Sequence, residues 1–157
     1  MALVSPVFFD STVLLAGLIE LGPASAHAQR VMTAVAAGRL RGPQTAWHCC
    51  LEFYAVSTRL PEEFRLAPDD ARRLIEEEVL ARFQIHQLPA NARTAFLGAA
   101  TQDRVAGGRI YDAHIAEIAR QAGARAVVTD NRRHFSALAR YGIRLMSTEE
   151  LAGEARI

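Results

Sequence analysis

Four positions along this chain carry acidic or amide side chains where a short apolar strand ends or an amphipathic helix begins. They are Asp10, Glu52, Asp112 and the turn Thr129-Asp130-Asn131. Several carboxylates rarely come together in a chain of this size unless a divalent cation holds them, because like charges repel one another. The spacing of these residues therefore predicts metal-dependent chemistry.

The cost of gathering the acids indicates which kind of cation would hold them. Carboxylates about 5 Å apart repel by about 3 kcal/mol per pair at an effective dielectric of about 20. Mg²⁺ or Mn²⁺ would offset that repulsion, since hard cations take oxygen ligands and usually retain water. Each acid also has a simpler explanation. Asp10 can cap a helix, Asp112 can interact favourably with a helix dipole, and Glu52 can be an ordinary, partly exposed helix residue.

Length and composition predict a single globular domain over residues 1–157. Half of the residues are hydrophobic and the formal net charge is +1, so overall charge gives no indication of a nucleic-acid ligand. The chain contains 18 arginines and no lysine. The absence of lysine excludes a P-loop, a Schiff-base enzyme and a Ser-Lys hydrolase. Arginine suits contacts with phosphate and stacking on bases, although biased coding composition is the simpler explanation of its use.

The cysteines and the apolar segments predict a cytoplasmic protein without a membrane anchor. Cys49 and Cys50 are adjacent, which disfavours a disulfide, and without partner cysteines or clustered histidines they are poor zinc ligands. We expect them to be small core residues. The first nine residues lack a basic leader, and the apolar run 13–19 is too short to span a bilayer.

Short apolar strands alternate with amphipathic helices along the chain. Strands are predicted at residues 4–9, 42–45, 85–88, 125–129 and 144–146, with 85–88 at an edge of the sheet. Helices are predicted at residues 12–21, 24–37, 47–58, 68–83, 90–104, 111–122 and 132–141. This alternation predicts an α/β fold with three layers and a mostly parallel central sheet.

The predicted sheet brings the four acidic or amide sites toward one edge. Ligands of open α/β sheets bind beyond the carboxyl ends of the strands, where the strand order reverses. Asp10 ends the first strand and Asn131 follows a later one. Asp112 and Glu52 lie on predicted helices that can border the same rim. A shared cleft at this edge is therefore expected.

Four segments of the chain resemble the successive motifs of PIN-domain ribonucleases, especially the bacterial VapC-type toxins. The segments are residues 8–15 (FFDSTVLL), 51–53 (LEF), 110–116 (IYDAHIA) and 127–135 (VVTDNRRHF). Each motif is short, but together they cover nearly the whole chain in the family's order. The resemblance implies an α/β/α sandwich, a Mg²⁺ or Mn²⁺ cofactor, and hydrolysis of single-stranded RNA.

The resemblance also implies roles for individual residues. Asp10 and Asp112 match the family's principal metal carboxylates, and Glu52 matches its third acid. Either Ser11 or Thr12 matches the polar residue that follows the first aspartate. Glu52 or Asp112 would then orient the attacking water or accept its proton.

The last motif departs from the family pattern. The family usually places an acid or asparagine two residues after the threonine, which here is Asn131 after Thr129, and the acid is instead Asp130. In an extended turn, residues two apart face the same way, so Asn131 is expected to face the site. A neutral ligand at this position puts tight binding of a second metal in doubt.

The neighbouring arginines and the family resemblance together predict the partners of the chain. Arg109, Arg132 and Arg133 flank the motifs and can hold the phosphate backbone, or can be ordinary solvated surface. The resemblance implies a toxin with a cognate antitoxin that inserts a segment near the acidic cleft, and a homodimer.

Two other functions compete with the nuclease. The segment 10–13 superficially resembles a haloacid-dehalogenase-like phosphatase, but Thr12 stands where that family has a second aspartate, and the essential lysine is absent. A catalytically inert module of the same fold could instead use the cleft to hold RNA or a peptide. Loss of nuclease activity on replacing Asp10 or Asp112 would separate the enzyme from that module.

Overall fold

The computed structural model describes residues 5–157, and its centre is a five-stranded parallel sheet. The strands are β1 (Val7–Phe9), β2 (Gln44–Ala46), β3 (Gln84–His86), β4 (Ala126–Val128) and β5 (Arg144–Met146). They are ordered β3-β2-β1-β4-β5, and every pairing is parallel. The predicted parallel sheet and the edge position of β3 are confirmed. Residue 4, where the first strand was predicted to begin, lies outside the described residues.

The strand order reverses between β1 and β4, next to the chain's first acid. The two strands pair in register, with Phe8 opposite Val127. Just beyond them, the Asp10 N–H donates to the Val128 carbonyl at 3.1 Å. All residues of β1, β2 and β4 are buried, as expected for parallel strands covered on both faces. The crevice for a ligand therefore opens above the carboxyl ends of β1 and β4.

Within residues 5–157, seven α-helices surround the sheet. They are α1 (Ser11–Leu18), α2 (Ala26–Ala36), α3 (Trp47–Ser57), α4 (Pro68–Leu74), α5 (Arg93–Gln102), α6 (Arg109–Gln121) and α7 (Thr148–Ala155). Short 3₁₀ turns precede α2 and α5, and the segment Arg132–Tyr141, predicted as a helix, is a 3₁₀ helix. The architecture is the α/β fold that the alternating pattern predicts.

Two helical elements differ from the sequence expectation. The single helix predicted over 68–83 is α4 followed by a π-helical turn, Ile75–Leu80, which keeps both Ile75 and Val79 buried. The last helix, α7, was not predicted at all. Its start was readable in the sequence, because Ser147 and Glu150 form a capping box in which each side chain accepts from the other's backbone N–H.

The core lies on both faces of the sheet. Phe8 and Phe9 of β1 are fully buried, and the Phe9 and Phe83 rings meet edge to face with centroids 5.0 Å apart. Cys49 and Cys50 are buried free thiols, as predicted.

Among residues 5–157, no helix is both long and apolar enough to cross a bilayer.

Candidate active site

Asp10 lies at the point where the strand order reverses, and hydrogen bonds hold both of its carboxylate oxygens. Oδ1 accepts from the Ser11 backbone N–H at 2.8 Å, which also caps the start of α1. Oδ2 accepts from the hydroxyls of Thr12 at 2.9 Å and Thr129 at 2.8 Å. Asp10 is therefore both a helix cap and a carboxylate oriented from two elements that are distant in sequence.

The electrostatic environment of Asp10 is that of a buried acid. Burial raises the pKa of its carboxyl, and the nearby charge of Asp112 raises it further. The hydrogen bonds from Thr129, Thr12 and Ser11 act in the opposite direction, because they stabilise the ionised form. A cation beside Asp10 would favour the same ionised form.

Glu52 is half buried on α3 and is linked to Asp10 through a serine hydroxyl. Ser11 Oγ lies 3.4 Å from Glu52 Oε1 and 3.4 Å from Asp10 Oδ1, so it bridges the two acids. Burial, followed by repulsion from Asp10 and Asp112, raises the pKa of Glu52 to about 7. A carboxyl with this pKa is ready to accept a proton near neutral pH.

Asp112 occupies the first turn of α6, as predicted, and faces a histidine of the 3₁₀ helix. Its Oδ2 lies 2.8 Å from His134 Nδ1. The negative charge of Asp112 acts on both other acids, because it raises the pKa of Asp10 and that of Glu52. The structure thus brings the three acids into one electrostatic neighbourhood.

Asp10, Asp112 and Glu52 are suited to bind a hard divalent cation in an open site, in which water takes the remaining positions. In the part of the chain that the structure describes, no three His, Cys, Asp or Glu side chains form a ready-made set of ligands. Mg²⁺ does not require one, because it is usually held by one or two carboxylates and keeps several waters. Asp10, Asp112 and Glu52 are oxygen donors, and a cation would offset their mutual repulsion and the raised pKa values of Asp10 and Glu52.

The turn after β4 supports Asp10 and lines a neighbouring cavity. The hydroxyl of the buried Thr129 accepts from the Asn131 N–H at 2.9 Å, and that of Thr12 accepts from the Asp130 N–H at 3.2 Å. Asp130 and Asn131 are exposed, and both line a cavity of about 360 Å³. Asn131 has φ −112° and ψ 56°, so the turn is not extended and alternation of side chains cannot select between them. The choice of Asn131 stays a prediction.

The three flanking arginines differ in their surroundings. Arg132 forms an ion pair with Glu150 of α7, which occupies its guanidinium. Arg109 and Arg133 are exposed and line a second cavity, of about 350 Å³, together with Asp112.

Three histidines of this region were missed as participants by sequence reasoning. His134 contacts Asp112, and His48 Nε2 lies 3.6 Å from Glu52 Oε1 on the same face of α3. His48 Nδ1 also lies 2.9 Å from His114 Nδ1. The i,i+4 spacing of His48 and Glu52 could have indicated their contact. The other two contacts join distant segments and leave no local pattern.

The sequence comparison defines the class of this protein. Residues 6–133 match the PIN domain family over most of the chain, so the chain belongs to the PIN-domain family. The resemblance carried by the four motifs is confirmed, and the haloacid-dehalogenase-like alternative is wrong.

The chain is similar to proteins named VapC. Over 86 residues, 54% of this chain, it is 38% identical to ribonuclease VapC27 of Mycobacterium tuberculosis, and it spans 60% of that protein's length. Its fold is similar to that of Mycobacterium tuberculosis VapC20, described as a sarcin-ricin loop cleaving toxin, with a TM-score of 0.63, 15% identity, and 84% and 94% of the two chains covered. VapBC2 from Rickettsia felis, bound to a fragment of its promoter DNA, is similar with a TM-score of 0.59, 12% identity, and 90% and 97% covered. The two structures support the α/β/α fold.

Proposed function

We propose that residues 1–157 form one nuclease domain, a Mg²⁺- or Mn²⁺-dependent endoribonuclease that hydrolyses single-stranded RNA. The observation that carries the proposal is the link between Asp10 and Glu52 through the Ser11 hydroxyl, at the reversal point of the sheet. Asp112 adds its charge to this pair. Membership of the PIN-domain family and the relative named ribonuclease VapC27 support the choice of RNA.

The three acids have different roles in the proposed phosphodiester hydrolysis. A bound divalent cation would supply Lewis-acid chemistry toward water and the phosphate oxygens. Asp10 and Asp112 would hold that cation, and the hydroxyls of Thr12 and Thr129 orient Asp10. Glu52 accepts a proton from the attacking water, because its half-buried carboxylate lies one serine hydroxyl away from Asp10. The P–O3′ bond breaks, and the leaving oxygen takes a proton from solvent.

Two arginines are suited to hold the RNA backbone. Arg109 and Arg133 line the cavity that contains Asp112, where a phosphate in the cleft would meet both guanidinium groups. We expect Arg132 to contribute less to RNA binding, because its guanidinium already forms an ion pair with Glu150. The exposed Asn131 would be a neutral metal ligand or would position a water molecule.

The partners proposed for the chain follow from its relatives. We propose that it is the toxin of a toxin–antitoxin pair and works in the cytoplasm, where its RNA substrate is found. The support is its similarity to a ribonuclease VapC and to a VapBC structure bound to promoter DNA. A cognate antitoxin would insert a segment near the acidic cleft, and the toxin would be a homodimer.

The first test is the chemistry of the RNA ends. Purified protein with Mn²⁺ should cut single-stranded RNA into fragments with 5′-phosphate and 3′-hydroxyl ends, because water rather than the ribose 2′-hydroxyl attacks phosphorus. End-labelling and mass spectrometry identify these ends. Excess EDTA or Asp10→Asn should abolish cleavage. Cyclic 2′,3′-phosphate ends, or full activity in EDTA, would overturn the mechanism, and RNA binding without cleavage would indicate the inert module.

A further inference from the structure

The two aspartates of the site differ in what holds them. Three residues donate hydrogen bonds to Asp10, from its own helix and from the turn after β4. Among residues 5–157, His134 is the one residue whose side chain lies within ion-pairing or hydrogen-bonding distance of the Asp112 carboxylate, with Nδ1 2.8 Å from Oδ2. No side chain caps the start of α6, where Asp112 lies. The orientation of Asp112 therefore depends on His134.

The fold holds the backbone of His134 in place. His134 belongs to the 3₁₀ helix Arg132–Tyr141, which packs against α6, and its N–H donates to the Asn131 carbonyl at 3.0 Å. The next residue, Phe135, is fully buried and anchors this helix in the core. The imidazole is thus presented to Asp112 by a packed element, on a side chain with two rotatable bonds.

The contact between His134 and Asp112 lies at the surface of the site. The side chains of His134 and Asp112 are 44% and 27% exposed. His134 lines both polar cavities beside the acids, of about 360 and 350 Å³, and Asp112 lines the second. An ion pair this exposed contributes little to folding stability. The contact therefore matters more for the site than for the fold.

The chemistry of the two groups determines which one donates. An ionised carboxylate can only accept hydrogen bonds, so a ring nitrogen 2.8 Å away must carry the hydrogen. His134 then donates from Nδ1 to Oδ2 of Asp112, which leaves Oδ1 free for a cation. Carboxylates that bind metals are commonly held by such outer partners, and losing one costs about 10–100-fold in metal affinity or activity.

We propose that His134 is a positioning residue, which fixes the Asp112 carboxylate toward the divalent cation by donating a hydrogen bond from Nδ1. The inference rests on the nuclease function proposed above and deepens it. His134 acts through Asp112 and neither binds the metal nor transfers a proton. It connects the segment after β4 to α6 at the acids, as Thr129 connects the same segment to Asp10.

Mn²⁺ affinity, measured by calorimetry without RNA, tests the role of Nδ1. His134→Ala should weaken Mn²⁺ binding by about tenfold or more. His134→Asn should restore most of the affinity, because its amide nitrogen is attached to Cγ as Nδ1 is. His134→Gln should not, because its amide nitrogen corresponds to Nε2. Melting curves in EDTA check that each variant folds.

His27→Ala is the matched control. His27 also has a polar partner, Arg30 at 3.0 Å, but it lies on α2 and lines neither cavity beside the acids. Its replacement should leave Mn²⁺ affinity unchanged. Equal affinities for the wild type and His134→Ala would overturn the positioning role. Equal losses in His134→Ala and His134→Asn would also overturn it, because the ring itself would then be a metal ligand.

The tautomer of His134 gives a second test that needs neither metal nor a stable variant. Long-range ¹H–¹⁵N NMR spectra of the wild type are recorded in EDTA at rising pH until the ring is neutral. The neutral ring should carry its hydrogen on Nδ1, since only this tautomer can donate to Asp112. Asp112→Ala should remove that preference. A hydrogen on Nε2 in the wild type would overturn the proposal.

RNA cleavage separates positioning from proton transfer. At saturating Mn²⁺, His134→Asn should cleave RNA at close to the wild-type rate. If this variant binds Mn²⁺ normally but does not cleave, His134 takes part in the chemistry and the positioning role is wrong.

The positioning role and the nuclease fail in different ways. Mn²⁺ binding that depends on His134, without cleavage of RNA by the wild type, would keep the role of His134 and refute the nuclease. Cleavage by the wild type, with unchanged Mn²⁺ affinity in His134→Ala, would keep the nuclease and refute the role of His134.

Discussion

Asp10 and Glu52 differ in how many donors reach their carboxylates, and this difference suits them to different tasks. Asp10 accepts hydrogen bonds on both oxygens from Ser11, Thr12 and Thr129. Glu52 has a serine hydroxyl at 3.4 Å and a histidine nitrogen at 3.6 Å. The donors around Asp10 orient its carboxylate and oppose the rise in pKa that burial causes, which suits a metal ligand, whereas Glu52 has fewer donors and is freer to exchange a proton.

Asp112→Asn should separate catalysis from folding. The change keeps the side-chain volume and an acceptor for His134, and removes charge repulsion with Asp10 and Glu52. We expect unchanged or slightly higher stability in EDTA, by on the order of 1 kcal/mol, together with severe loss of RNA cleavage in Mn²⁺. Thermal melts and cleavage assays measure the two effects.

Asp69→Asn is the matched control, because Asp69 also lies in the first turn of a helix but lines neither of the two cavities near the acids. It should leave cleavage unchanged. A much lower melting temperature for Asp112→Asn would show that Asp112 is a structural residue, and an active variant would remove it from the metal site.

Asn131→Asp tests which residue of the turn faces the metal. An added carboxylate at the rim should tighten Mn²⁺ binding, measured by calorimetry, because hard cations prefer charged oxygen ligands. Asp130→Asn is the companion change and should leave the affinity nearly unchanged. Unchanged affinity in Asn131→Asp with a large loss in Asp130→Asn would show that Asp130 is the ligand.

At the scale of the elements, the packing of α1 determines where the first acid lies. Asp10 caps this helix, and Ser11 and Thr12 are its first residues, so a shift of α1 would move all three. Gly17 allows α1 to approach α2 closely. A Cβ at this position would lie 2.3 Å from Met32 Cγ and 3.0 Å from the Ala28 carbonyl oxygen. Met32 or the helices would have to move.

Gly17→Ala should therefore destabilise the protein although alanine favours helices. Overpacking costs about 1–3 kcal/mol, and the melting temperature should fall. Gly98→Ala is the matched control in α5, where a Cβ would meet nothing within 4 Å. It should raise the free energy of unfolding by about 0.5–1 kcal/mol. Equal effects of the two changes would mean that the α1–α2 contact does not depend on Gly17.

At the scale of the whole molecule, the acid cluster makes the metal-free fold sensitive to pH. Burial and the neighbouring acids raise the pKa of Glu52 from 4.5 to about 7. Between these values the unfolded chain has lost its proton while the folded chain keeps it. Rising pH therefore favours the unfolded state across this interval. The raised pKa of Asp10 acts with the same sign.

In EDTA, the contribution of Glu52 to the free energy of unfolding should fall between about pH 4.5 and pH 7 by on the order of 1–2 kcal/mol, after allowance for its partial exposure. Denaturant unfolding across pH measures this fall. Glu52→Gln should flatten it, and the exposed Glu63→Gln should not. Mn²⁺ should restore stability at pH 7, by about 2.7 kcal/mol at 100 times its dissociation constant. No effect of Mn²⁺ would argue against a metal site.

Local patterns in the sequence were enough to predict the fold class and the acids that the family motifs mark. Strand and helix periodicity depends on neighbours a few residues apart, so the five strands were predicted close to their observed positions. The same local reasoning missed α7, although its capping box was present. It also predicted one regular helix where α4 continues as a π-helical turn, because that widening depends on packing around Ile75 and Val79.

Contacts between distant segments were decided only by the tertiary structure. Asp10 and Thr129 are 119 residues apart, and Ser11 and Glu52 are 41 apart. Neither bond has a periodic signature, and the raised pKa of Glu52 exists only once burial and the other acids surround it. An apolar cavity of about 540 Å³ likewise draws its lining rings from α3, α5 and α6. Residue types and order thus determined which chemistry was available, and chain packing determined the geometry in which those residues meet.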